Sequence, residues 1–347
     1  MLSQQSHAEC PDCRGTRLAA AFVREPKDDN YVVPAHGQVE PHDGRYVIMR
    51  CEGCGSIFLH PHYWAESFAV YSTGRYFAGY FPNNIHPGGG PNIAGPLVPA
   101  YSRLLNRRRA RFLLKQAGLS KEPGTRVLDI GCASGQLVQG FSDLGCDAYG
   151  VDVSTNAIAN AANKTLKLRA GLFEETDYPD AFFDLIVSIE TVEHMGLLDQ
   201  FLSRVLQKLK PDGRFVLQVP NDIDGYRARA FRRIWWMIPP MHLRYFTKQS
   251  MSAIMARQGF RLLRARTAGQ VGDDWGMMLT WRLKRLGLRR MVGTKVHKVL
   301  KKGLALLGKP VDYVLNVKKV HTELLLVFAP GSAPDAPRSE GAGCGRR

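Results

Sequence analysis

Between Thr125 and Asp152 the chain runs through a short apolar strand, Arg126-Val127-Leu128-Asp129-Ile130, and then a turn of small residues, Gly131-Cys132-Ala133-Ser134-Gly135. A helix to about Leu144 and a second strand closing on Tyr149-Gly150-Val151-Asp152 follow. Strand and helix alternating at this spacing commit a chain to a parallel sheet with helices on its faces. The same rhythm continues, with strands expected at Leu166–Ala170, Asp184–Ile189, Phe215–Val219, Arg261–Thr267 and Thr322–Phe328. Helices are expected at Leu197–Leu209 and Lys248–Gln258, the latter capped by Thr247. The fold class is therefore α/β and Rossmann-like. With 347 residues, 45% of them apolar, the chain can bury a large core and hold more than one unit.

The turn Asp129–Gly135 follows a strand and opens a helix, where small residues let the backbone approach a ligand closely. Asp152 ends the next strand, the place from which a carboxylate accepts both ribose hydroxyls of a nucleoside. A dinucleotide fingerprint needs GxGxxG; here the glycines are Gly131 and Gly135, with Asp129 two residues ahead.

A second constraint comes from cysteine. Cys10-Pro11-Asp12-Cys13 and Cys51-Glu52-Gly53-Cys54 are two CxxC pairs with 37 residues between them. Each places two thiolates on one tight turn, and two turns supply the four tetrahedral ligands of a structural zinc site with no open position. A thioredoxin-like redox pair lacks its βαβ context here, and His7, His36, His42, His60 and His62 are near enough to replace one thiolate.

The stretch Val127–Asn221 resembles the class I S-adenosylmethionine-dependent methyltransferases. The resemblance rests on Asp129–Gly135, Val151-Asp152-Val153-Ser154, Gly171-Leu172-Phe173-Glu174-Glu175, Phe183–Val187, Val192-Glu193-His194 and Leu209-Lys210-Pro211-Asp212-Gly213, in family order. It implies a seven-stranded methyltransferase sheet binding S-adenosylmethionine. Gly131, Ala133 and Gly135 would line the methionine and ribose, with Asp129 at the head of that motif. Asp152 would hold the ribose hydroxyls, and Leu172 and Phe173 would flank the adenine. The CxxC pairs, with Ile57-Phe58-Leu59-His60-Pro61, further resemble zinc-ribbon methyltransferases, among them sugar C-methyltransferases and related enzymes of glycan and natural-product pathways.

The organisation expected is a zinc ribbon over 1–62, a linker and lead-in helix over 63–124 and a methyltransferase domain over 125–330. A basic helical insertion occupies about 270–320, and a disordered tail follows over 331–347. The Gly- and Pro-rich stretch Phe81–Pro99 reads as a flexible loop.

For chemistry, His194 just past the fourth strand of the domain and His242 after the fifth can each take a proton near neutral pH, and Asn221 can orient an acceptor hydroxyl. Glu190, Glu193 and His194 form an ExxEH pattern similar to that of ubiquinone-biosynthesis O-methyltransferases, where these positions are associated with a divalent metal. The alternative is that these acids, Glu190 included, neighbour the next helix and the methionine end of the cofactor.

Lys plus Arg exceed Asp plus Glu by 16, and the excess is local: Gly225–Val320 holds 22 basic residues against Asp273, Asp274 and Asp312. Such a face suits an anionic membrane surface, a solvated helix or RNA, although no aromatic RNA-binding motif accompanies it. No apolar run approaches the roughly 18 residues of a membrane span, and Met1-Leu2-Ser3-Gln4-Gln5 lacks a secretory pattern. A cytoplasmic protein, peripheral at the inner membrane surface if the basic half docks there, is expected. The acceptor expected is an oxygen or carbon atom of a small molecule, such as a lipid- or nucleotide-linked sugar or a secondary metabolite. Alternatives are an RNA methyltransferase, a ubiquinone-type O-methyltransferase, or a non-enzymatic subunit that binds the cofactor and recruits a partner.

Overall fold

Short antiparallel strands form the N-terminal part. The computed structural model describes residues 9–24, 31–32, 47–60, 98–119, 123–221, 223–225, 233–234, 242–269, 295–317 and 321–331, with isolated positions between 275 and 288. Here β1 (Leu18–Arg24) pairs antiparallel with β2 (Tyr31–Val32) and β3 (Val47–Cys51), and β3 pairs with β4 (Ile57–His60). Of the loop expected over Phe81–Pro99, Val98 and Pro99 instead open a helix, where a proline in the first turn gives up no helical hydrogen bond; its residues 81–97, Trp235–Ile238, most of 270–294 and the tail beyond 331 lie outside the described residues, as do His7, His36, His42 and His62.

The lead-in helix α1 (Val98–Ala117) packs Ala110, Leu113 and Leu114 against the main sheet. That sheet is built from β5 (Arg126–Ile130), β6 (Asp147–Asp152), β7 (Lys167–Ala170), β8 (Phe183–Ile189), β9 (Leu209–Pro220), β12 (Phe260–Ala268) and β13 (Glu323–Pro330). Its order is β12-β13-β9-β8-β5-β6-β7. The strands from β9 to β7 run parallel, while β13 is antiparallel to both its neighbours.

Two apolar layers hold the sheet between helices. On one face β8 turns Leu185 and Val187, and β13 turns Leu325 and Val327, toward α1 and α2 (Gln136–Ser142). On the other, Ile186 and Leu326 meet Phe201, Leu202 and Val205 of α4 (Leu198–Lys208) and Met251 and Ile254 of α5 (Lys248–Arg257). In chain order the short α3 (Thr155–Ala159), capped by Ser154, comes between α2 and α4. Thr247 caps α5 through a reciprocal pair with Ser250, as the sequence predicts. Trimming one fully buried aliphatic side chain here, such as Leu185, costs about 2–5 kcal/mol.

The chain after β9 returns to the first sheet. β10 (Arg233–Ile234) pairs with β2 and β11 (Arg244–Tyr245) pairs with β4, giving the six-stranded order β10-β2-β1-β3-β4-β11. The ribbon sheet is therefore completed by residues from far along the chain. Before β13, the insertion contributes α6 (Lys295–Leu307) and α7 (Lys309–Val317). Gly303, a weak point for a helix in the sequence, is spanned without a break.

Candidate functional site

The small-residue turn after β5 bends through repeated left-handed conformations: φ is +81° at Gly131, +48° at Ala133 and +78° at Gly135. At Gly131 the need for glycine is also steric, since a Cβ would lie 2.2 Å from Thr191 Oγ1. Ala133 holds a conformation that L side chains seldom adopt, so its surroundings determine it. One of those surroundings is Asp152: its carboxylate accepts the backbone N–H of Ala133 at 2.8 Å through Oδ2 and that of Ser154 at 2.8 Å through Oδ1. Each oxygen keeps a second lone pair. The carboxylate thus ties the turn to the end of β6 and retains acceptors for two hydroxyls.

Asp129 is fully enclosed at the end of β5. Burial pushes its carboxyl up to about 7, and nearby Asp152 adds to the rise while Arg109 opposes it. Burial likewise raises Asp152. Two enclosed carboxyls this close together, with Arg109 the cation acting on Asp129, favour a cationic ligand between them. S-adenosylmethionine carries a sulfonium and an ammonium group, so the donor set fits it. Leu172 is half-buried beside this end, whereas Phe173 turns its ring into the core, edge-on to Phe201 with centroids 5.8 Å apart.

Past β8 the backbone leaves the sheet through Glu190, at φ +51°, whose exposed side chain lies 3.4 Å from Gln218. Thr191 packs against Gly131, and the single turn Val192–His194 follows. Glu193 is buried, with Oε1 3.7 Å from His194 Nε2. His242 meets His194 ring to ring, edge-on at 4.8 Å between centroids. Burial first, and His194 second, hold the His242 imidazole well below its usual range, so it is neutral. Its Nδ1 is enclosed and has no hydrogen-bond partner among the described residues. Glu193, His194 and His242 bring one ligand atom each within 4.8 Å of one another. The grouping joins His194 and His242, which the sequence singled out separately, and leaves Glu190 outside. Asn221 lies apart from it: its amide donates to the His321 carbonyl at 2.7 Å and is buried.

Four thiols converge at the far end of the ribbon. Cys10 and Cys54 sulfurs are 3.5 Å apart, Cys13 and Cys51 sulfurs 3.6 Å, and all four lie within 4.8 Å of one another. Zn–S bonds of about 2.3 Å in a tetrahedron require sulfurs about 3.8 Å apart. The set fits zinc. Both turns repeat one design, with Arg14 N–H bonded to Cys10 O and Gly55 N–H to Cys51 O, and positive φ at Arg14 and Gly55. No histidine joins this group among the described residues; His60 stands half-buried at the end of β4.

Sequence reading missed the connection between these places. Arg244, on β11, is only 2% exposed, and its Nε donates to Asp12 Oδ1 at 3.2 Å, inside the first CxxC turn. Its two other nitrogens donate to the carbonyls of Met195 and Gly196, directly after His194. Leu243 N–H donates to the Glu193 carbonyl at 2.8 Å, and Leu59 N–H to the Leu243 carbonyl at 2.9 Å. No spacing rule signals such a bridge; the only trace is an arginine inside the apolar run from Leu243 to Phe246.

Residues 101–265 match the family model described as a methyltransferase domain. By that match this stretch, just under half of the chain, is a methyltransferase domain. Over 104 residues the chain is 38% identical to a ubiquinone biosynthesis O-methyltransferase of Bradyrhizobium sp. (strain ORS 278), covering 28% of this chain and 41% of that protein. Over 117 residues it is 36% identical to one of Rhodopseudomonas palustris (strain TIE-1), covering 32% and 46%. The chain thus spans less than half the length of these curated relatives. Among solved structures, a SAM dependent methyltransferase from Archaeoglobus fulgidus aligns at 18% identity and a TM-score of 0.44, covering 65% of this chain and 93% of that one. In the methyltransferase domain, the glycine turn and Asp152 stand at one end of the sheet, with Glu193 and the two imidazoles beside them.

Proposed function

We propose that this protein transfers a methyl group from S-adenosylmethionine to an oxygen or carbon atom of a small-molecule acceptor. S-adenosylmethionine supplies an electrophilic methyl group. Asp152 holds the ribose hydroxyls, Gly131, Ala133 and Gly135 form the wall behind them, and Asp129 faces the cationic end. The observation that carries the choice of acceptor is the enclosed Nδ1 of His242, without a hydrogen-bond partner among the described residues, beside the Glu193–His194 pair. A neutral amine attacks the methyl group with its own lone pair and sheds its proton afterwards, whereas an alcohol, a phenol or an acidic carbon has to give up a proton as it attacks. His194 takes that proton, the Glu193 carboxylate stabilises the resulting imidazolium, and neutral His242 orients the acceptor by hydrogen bonding. Carrier-linked sugars and polyketide-like metabolites offer such atoms, in keeping with the zinc-ribbon resemblance. The four cysteines hold a structural zinc ion.

A second reading is a phenol of the ubiquinone type, favoured by the curated relatives; here Glu193, His194 and His242 would instead hold a divalent cation. Incubation with methyl-labelled S-adenosylmethionine and cell extract, followed by fractionation, tests both. Label in sugar-bearing or polar small molecules supports the first reading, and label in a lipid-soluble phenol, with a second metal equivalent per chain, supports the other. Label confined to RNA, or none in any fraction, overturns both. Asp152→Ala removes two charge-assisted hydrogen bonds and is expected to weaken cofactor binding about 100-fold by calorimetry, with the fold retained.

A further inference from the structure

The insertion before β13 presents an apolar surface that the methyltransferase domain does not cover. At 100° per residue, α6 places Val296, Val299, Leu300, Leu306 and Leu307 within an arc of about 120°. These are core-type residues, yet Val299 is 67% exposed, Leu306 73% and Leu307 67%. The packed side of the helix is a different one, where His297 and Gly308 are buried. On the remaining arc the sequence places Lys295, Lys298, Lys301 and Lys302. The next helix continues the surface with Tyr313, 73% exposed, and Val314.

The placement of this surface is fixed rather than accidental. Asp312 is the sole acid between residues 295 and 317, and it is buried 3.1 Å from His321 Nε2, at the foot of β13. It therefore pins α7 to the domain and leaves the five lysines of the two helices without an acidic neighbour in their own segment. A helix with an exposed apolar stripe flanked by cations matches one chemistry: the boundary between acyl chains and anionic headgroups. Nucleic acid makes no use of the apolar stripe, and a second copy of this chain would set lysines against lysines. No described helix is long and apolar enough to cross a membrane, so contact would be in the plane of the surface.

We infer that α6 and α7 form a docking face for an anionic lipid bilayer. The inference is independent of the acceptor, because the vesicles that test it contain none. The full chain is sedimented with vesicles of phosphatidylcholine alone and of phosphatidylcholine with about one third phosphatidylglycerol, at about 0.15 M salt. The expected result is sedimentation with the anionic vesicles only. The double substitution Leu306→Asp with Leu307→Asp should reduce it more than tenfold, and Lys298→Gln with Lys302→Gln about fivefold per lysine. Because both leucines are exposed, the melting temperature should stay unchanged, which separates lost docking from lost folding. Equal behaviour with both vesicle types, binding untouched by the leucine pair, or competition by RNA at equal charge would overturn the inference.

Discussion

In the proposed function, the end of the site assigned to the cofactor and the end assigned to the acceptor are wired differently. Asp152 reaches Ala133 and Ser154, partners 19 and 2 residues away, and the whole arrangement lies within one strand–turn–helix–strand unit. The loop carrying Glu193 and His194 is held by Arg244, 48 and 49 residues on, and Arg244 in turn holds Asp12, 232 residues away. One end forms wherever that unit folds. The other requires the ribbon and the chain after β9 to meet. The difference separates what is generic, grasping a nucleoside, from what is particular to this chain.

The strongest way to break the comparison is at the thiols. Cys51→Ser with Cys54→Ser should take the zinc content from one per chain to none by metal analysis. It should also remove binding free energy on the order of 10 kcal/mol, so that a ribbon transition separates from the main one in thermal unfolding. Zinc-free wild-type protein with an intact ribbon would refute the metal. Next comes Arg244→Met, which leaves Asp12 buried without its guanidinium and frees the Met195 and Gly196 carbonyls; about 3–5 kcal/mol of stability should be lost. If the two ends are wired as described, cofactor affinity in this variant stays within about twofold while methyl transfer falls, and equal losses in both would show that the ends are not separable.

The smallest effect sharpens the cofactor end alone. Asp129 has an ordinary value of 3.8, raised in the folded chain to about 7. A raised carboxyl makes the folded state the better proton binder, so the ligand-free protein should lose up to about 1.4 kcal/mol of stability per pH unit as pH rises from 4 to 7. Cofactor affinity should move oppositely, because a cationic ligand favours the ionised carboxylate, rising up to about tenfold per unit toward pH 7. Asp129→Asn should flatten both profiles; a variant that keeps either slope would remove Asp129 from the cofactor's surroundings.

How much of this the amino-acid order reveals follows from the same contrast. Buried parallel strands read as apolar runs, so β5, β6 and β8 fall close to where Val127–Ile130, Tyr149–Asp152 and Asp184–Ile189 suggest. Thr247 as a cap is local chemistry and equally legible. The two-residue strands β10 and β11 carry no period at all, and Arg244 looks like one more cation in a basic region. Adjacent Leu172 and Phe173 cannot be divided by sequence between the surface and the core. His194 and His242 are each visible, but nothing in their 48-residue separation says that their rings touch.

The pairing of β11 with β4 and of β10 with β2 has a consequence for how the chain is made. The ribbon leaves the ribosome before the segment that completes it, and the outer edges of β2 and β4 have no partners until residues 233–245 emerge. At about 5–20 residues per second that wait lasts roughly 10–40 s. During it the backbone of β4 presents a bare edge, open to pairing with any neighbouring strand. Early capture of metal by the four thiols would keep the nascent ribbon in shape through that interval.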